Sequence, residues 1–102
     1  MTLNYVMMDI RIQAIHFDAG EKLQDFIQKK VGKLGRFDGE IGKIEVSLRV
    51  VKPETARNKE VSIFADVTGG VLFAKETCDT FEEAVDKTCE ILSRQIEKHK
   101  NK

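Results

Sequence analysis

The sequence predicts an α+β domain of order β-α-β-β-β-α, a four-stranded mixed sheet with two helices packed on one face. Three observations predict it. Apolar and polar residues alternate in four short stretches, the period of a half-buried strand. Two longer stretches repeat their apolar residues at helical spacing, each with a single apolar stripe, so both helices cover the same side of one sheet. A helix stands between the first two strands, which makes them parallel, whereas short turn-rich segments join the others, which makes those antiparallel.

The first strand is Met8, Ile10, Ile12 and Ala14 alternating with Asp9, Arg11 and Gln13. Asp18 is a good helix N-cap, and Glu21 three residues later completes a capping-box spacing. Leu23, Phe26, Ile27, Val31 and Leu34 follow as the helix stripe, and Gly35 is the expected stop. After Gly39 and Gly42 comes a second strand, with Ile44, Val46, Leu48 and Val50 alternating with Glu45, Ser47 and Arg49. The one proline, Pro53, sits in a polar loop over residues 52–58. Val61, Ile63, Ala65 and Val67 mark the third strand, and Gly69-Gly70 supplies the positive φ of a tight hairpin. Residues 71–77 make the fourth strand, with Leu72 and Ala74 on one side and Val71 and Phe73 on the other. The last helix opens near Asp79 or Thr80, where Thr80 and Glu83 repeat the capping box; Phe81, Ala84, Val85, Thr88, Leu92 and Ile96 are its core stripe. The second sheet face is left open, lined by Arg11, Gln13, Glu45, Ser47, Arg49, Ser62, Phe64 and Phe73.

A chain of 102 residues suits one domain with enough apolar surface to fold without disulfides or metal. Residues 1–7 read as an N-terminal extension, free to move, and 8–102 as the single domain; a start at Met7 or Met8 would account for the same pattern. No apolar run reaches membrane-spanning length, and the start has no signal-peptide pattern. Cys78 and Cys89 form no CxxC and have no histidine cluster beside them, so both are expected to be reduced, structural thiols in a cytoplasmic protein.

Seventeen basic and seventeen acidic residues give a net charge of zero, but the charge is sorted. Residues 79–90 carry five acids and one base, and residues 91–102 carry four bases and one acid. Spacings of four, seven and eleven return to nearly the same side of a helix. On the first helix Lys22, Lys29, Lys33 and Arg36 meet those spacings; on the last, Lys87, Arg94 and Lys98 do, with Glu82, Asp86, Glu90 and Glu97 on another side. His99, Lys100 and Lys102 extend the positive end. Two such stripes on adjacent helices border one groove, which is what phosphate binding requires. The plainer reading is a pair of solvated faces, with Glu83–Lys87 and Glu90–Arg94 as ordinary i,i+4 pairs. Lys30 lies by angle between Leu23 and Phe26, on the apolar side: either its stem packs and its amine reaches outward, or the helix edge is open to a ligand.

Catalytic chemistry is not indicated. His16 and His99 have no partner at a catalytic spacing, and GxGxxG, GxxxxGK[ST] and HExxH are missing. His16, at the end of the first strand, reads as structural. No cofactor, metal or small-molecule substrate is expected. Phe64 and Phe73 on the open face could stack on bases, although packing between neighbouring strands explains them more simply.

Four segments in matching order, KKVGKL (29–34), TGG (68–70), TFEEAVD (80–86) and RQIEKHK (94–100), resemble the ribosome hibernation promoting factors, also called ribosome-associated inhibitors or sigma-54 modulation proteins. The resemblance runs over residues 8–100 and is to the short members of that family. It implies a β-α-β-β-β-α fold, no enzymatic activity, and binding to rRNA of the small ribosomal subunit in the channel of mRNA and tRNA, where the protein inhibits translation in starved or stationary cells. It implies a ribosome-associated protein, monomeric when off the ribosome. Its basic RNA-contacting residues correspond here to Lys30 and Lys33, with Lys29 adjacent, and to Arg94, Lys98 and Lys100; the helix spacing adds Lys22, Arg36 and Lys87. The rival of a different class is a small protein-interaction module that uses the open sheet face or a strand edge.

Overall fold

The structure, a computed structural model, describes residues 9–15, 18–36, 41–52, 57–67 and 69–100; the side chains at 35, 36, 99 and 100 lie outside that description. The elements are β1 (Asp9–Ala14), α1 (Glu21–Gly32), a 3-10 turn (Lys33–Arg36), β2 (Lys43–Val50), β3 (Lys59–Val67), β4 (Gly70–Cys78) and α2 (Phe81–Lys100). They form one four-stranded sheet in the order β1-β2-β3-β4. β1 runs parallel to β2, with Ile12 opposite Val46, and the other two pairings are antiparallel. The expected fold class is therefore the observed one.

The alternation in the strands explains the layering. Ile44, Val46 and Leu48 of β2 and Val61, Ile63 and Ala65 of β3 are all essentially inaccessible to solvent, and they pack under Ile27, Val31 and Leu34 and under Val85, Leu92 and Ile96. α2 covers β3 and β4, and α1 lies beside it toward β1. Thr88 is buried in the α2 stripe. Its hydroxyl donates back to the Ala84 carbonyl at 2.9 Å, so no polar atom is orphaned there. Gln95 donates from α2 to the Phe73 carbonyl at 3.1 Å, tying the helix to edge strand β4.

Three local expectations are corrected. The α1 N-cap is Gly20 and not Asp18. Gly20 is extended and gives its carbonyl to the Gln24 N–H at 3.0 Å, while the Gln24 side chain reaches back to the Ala19 carbonyl at 2.8 Å; Asp18 stands too early to reach the first free N–H groups. The α-helix stops at Gly32, and the chain tightens into a 3-10 turn rather than running to Gly35. That tightening keeps Leu34 in the core, at 2 % exposure. In the last hairpin Val67 pairs with Gly70. Gly69, at φ 91°, supplies the left-handed backbone, and Gly70 belongs to β4. By contrast, the Thr80 cap forms as expected: its hydroxyl accepts the Glu83 N–H at 3.1 Å. Residues 1–8, His16 and Pro53 lie outside the described residues, and with them the expected N-terminal extension.

Candidate nucleic-acid interface

α1 and α2 lie side by side, and a groove of about 380 Å³ runs between them, lined by Lys30, Lys33, Leu34, Asp86, Lys87, Cys89, Glu90 and Ser93. A second hollow, beside it on α1, is lined by Phe26, Lys29, Lys30, Gly32 and Lys33. The structure thus brings together four of the expected cations, Lys29, Lys30, Lys33 and Lys87. Lys22, Arg94 and Lys98 are exposed on the helices and line neither hollow. The side chains of Arg36 and Lys100 lie outside the described residues.

Lys30 joins the two helices. Its stem lies along Phe26, with the amine 5.6 Å from the ring centroid, and the amine meets Asp86 of α2 at 3.0 Å. Its odd position on the apolar side of α1 is explained by packing of the stem and outward reach of the amine. On α2, Lys87 pairs with Glu83 at 3.8 Å and Arg94 with Glu90 at 3.6 Å, both exposed one-turn pairs worth about 0.2–0.5 kcal/mol. Those are the two pairs of the plainer reading. Among the described residues, no carboxylate lies within ion-pair distance of Lys22, Lys29, Lys33 or Lys98.

The open sheet face is electrostatically different. Arg11 pairs with Asp9 at 3.2 Å and Lys43 with Glu45 at 3.6 Å, while Arg49 and Lys75 share Glu60 at 3.3 and 3.9 Å. Each of those four cations already has a carboxylate beside it. Phe64 and Phe73 stand on it as a cross-strand pair, ring centroids 4.6 Å apart, and with Val71 they are large apolar side chains left exposed. Lys22, Lys29, Lys33 and Lys98 therefore sit on the helical side, and the aromatic patch on the other.

One expectation about the helices is overturned. The acids of α2 do not all turn away from the groove: Asp86 and Glu90 line it, with Ser93. Positions 86, 90 and 93 lie one step around the helix from core residues Val85 and Leu92, so they edge the buried stripe and face α1. That signal was present in the spacing. What the spacing lacked was the direction from which α1 approaches.

Both cysteines are free, as expected of structural thiols. Burial, then the Glu83 carboxylate, pushes the Cys78 thiol up. Burial in the groove floor, then Asp86, pushes Cys89 up to about 11, with Lys30 opposing. Two units above the ordinary value of 9.0 means about a hundredfold less thiolate near neutral pH. In a Cys78→Ala background, iodoacetamide is expected to alkylate Cys89 about a hundredfold more slowly at pH 8 than an ordinary thiol, with the rate still climbing above pH 9. A plateau near pH 9 would contradict this.

Residues 10–102 match a protein family described as sigma 54 modulation protein / S30EA ribosomal protein. The chain belongs to this family. Curated relatives include a ribosome hibernation promotion factor of Deinococcus radiodurans, 24% identical over 98 residues, and a ribosome hibernation promoting factor of Azotobacter vinelandii, 25% identical over 95. The alignments cover 94% and 93% of the chain; they span 51% of the Deinococcus protein, about half its length, and 85% of the Azotobacter one. The fold matches a ribosomal subunit interface protein from Coxiella burnetii (TM-score 0.83, 23% identity, 93% of this chain and 100% of that one). It also matches the N-terminal domain of Thermus thermophilus Protein Y (TM-score 0.77, 21% identity, 91% and 99%). The family's description names a ribosomal protein. Among its described residues no helix is long and apolar enough to cross a membrane.

Proposed function

We propose that the chain is a ribosome hibernation factor that binds the small ribosomal subunit in the mRNA/tRNA channel and inhibits translation in non-growing cells. The mechanism is steric and non-enzymatic: the folded body fills the path of mRNA and tRNA, and its lysines and arginines neutralise nearby rRNA phosphates. The observation that carries this reading is the set of cations on the helical side with no described carboxylate partner, Lys22, Lys29, Lys33 and Lys98, in a chain whose family is ribosome-associated. The names of the relatives support the hibernation role. Lys30, Lys87 and Arg94 join the contact set by exchanging exposed carboxylate partners for phosphates, an exchange of low cost because such pairs are weak; Arg36 and Lys100 join it by position in the sequence.

The test is a sucrose gradient of small subunits with the purified protein, with and without saturating tRNA anticodon stem-loop. The protein is expected in the subunit peak and is displaced by the stem-loop. A protein that stays at the top of the gradient, or that co-sediments undisturbed by the stem-loop, contradicts the reading.

The exposed patch of Phe64, Val71 and Phe73 favours a second reading, a protein-interaction module working through the open face. The two readings separate on one variant. A Phe64→Ser/Phe73→Ser protein is expected to bind small subunits within about twofold of wild type, with binding that weakens steeply as salt rises. Loss of binding in that variant, with little salt dependence in wild type, would favour the module.

A further inference from the structure

The groove between the helices is not built as a track for a phosphate backbone. Lys30 and Lys33 form one wall, and Asp86, Lys87, Glu90 and Ser93 form the other. Asp86 and Glu90 repel a continuous polyanion there, and the cation of that wall, Lys87, is paired with Glu83 at 3.8 Å. A ligand with an anion at one end and hydrogen-bond donors at the other satisfies both, and the volume of about 380 Å³ is that of a small-molecule site. The two carboxylates differ in availability. Asp86 is held by Lys30 at 3.0 Å, whereas the described partner of Glu90 is Arg94, at 3.6 Å on an exposed turn. Such a pair yields easily to a better-placed donor.

A carboxylate presents two acceptor oxygens side by side and no donor. Among the four RNA bases, guanine alone sets two adjacent N–H donors, the ring N1–H and the amino group, along one edge. Cytosine and adenine place a ring acceptor beside the amino group, and uracil flanks its one N–H with carbonyls, so each turns an acceptor toward a carboxylate oxygen. Leu34 and Cys89 provide an apolar surface for the ring.

We propose that this groove takes one unpaired guanosine nucleotide, with its phosphate at Lys33 and its N1–H and amino group on the Glu90 carboxylate. The proposal rests on the ribosomal reading for its source of RNA, and it adds a base preference to what would otherwise be contacts with phosphate alone.

The experiment measures, by fluorescence anisotropy at near-physiological salt, the affinity of the protein for three uridine heptamers: one with a central guanosine, one with a central inosine, and one unmodified. Inosine keeps the ring and N1–H but lacks the amino group. The guanosine RNA is expected to bind at least about fivefold tighter than the inosine RNA, a modest share of what a bidentate base contact supplies. Glu90→Gln, which replaces one acceptor by a donor on an exposed side chain, is expected to bring the two within about twofold. Lys33→Ala is expected to weaken all three alike. Equal affinity of wild type for the guanosine and inosine RNAs, or an undiminished gap in Glu90→Gln, overturns the proposal. Co-sedimentation of wild type with small subunits separates the levels. A protein that sediments but ignores the amino group loses the guanosine site alone; one that keeps the preference without sedimenting keeps the site and loses the ribosomal reading.

Discussion

Small subunits are expected to lose the protein when Lys29, Lys33 and Lys98 are replaced together by glutamate. These three are exposed and have no described carboxylate within ion-pair distance, so their charge is available to a ligand without breaking an internal pair. At about 1.5 kcal/mol for each charge-assisted contact, the three together account for more than a hundredfold in affinity. Reversal adds repulsion to that loss. Co-sedimentation is therefore expected to vanish at physiological salt, while circular dichroism and the melting temperature stay near wild type, since none of the three side chains is in the core. Lys75→Glu is the matching control. It lies on the open face, where Lys75 already neighbours Glu60, and small-subunit binding is expected to persist. Loss of binding in the control and not in the triple variant would move the interface to the other side of the sheet.

The largest effect on stability is expected at Ile63. It is fully buried at the centre of β3, paired with Val46 on one side and Ala74 on the other. Ile63→Ala removes apolar contacts under both helices and leaves a cavity that the close-packed sheet cannot collapse, at a cost of about 2–5 kcal/mol. For a domain of this size that lowers the melting temperature by about 8–20 °C. Phe64→Ala, one residue along on the open face, is expected to cost less, because the ring is 42 % exposed and loses chiefly its contact with Phe73. A thermal melt of the two variants checks the order. A larger loss at Phe64 than at Ile63 would place the core on the wrong face of the sheet.

Much of this architecture was legible before any coordinates. The strict alternation in β2 and β3 identified both the buried and the open face, because a side-chain period of two leaves only one assignment. The α2 stripe was equally clear, down to Thr80 as its cap. The start of α1 was not: Asp18 and Glu21 have capping-box spacing, yet the chain starts its helix after Gly20. Hairpin turns show the same limit. The pair Gly69-Gly70 signals a turn, but which of two adjacent glycines takes the positive φ depends on strand register, which is set across the sheet. At the candidate interface, helical spacing gathered Lys29 and Lys33 correctly. It could not show that Asp86 and Glu90 complete the groove, because the orientation of one helix toward another comes from packing on the sheet. Lys30 is the instructive residue. Its position on the apolar side left open a packed stem with an outward amine or a helix edge open to a ligand, and it links α1 to α2 through the ion pair with Asp86.

The most direct measurement is a cryo-EM map of small subunits incubated with the purified chain. The account predicts density between head and body, overlapping the path of mRNA and the tRNA anticodon stem, with Lys29, Lys33 and Lys98 against rRNA phosphates. Density elsewhere on the subunit, or the aromatic sheet face against the rRNA with those lysines turned to solvent, would contradict it.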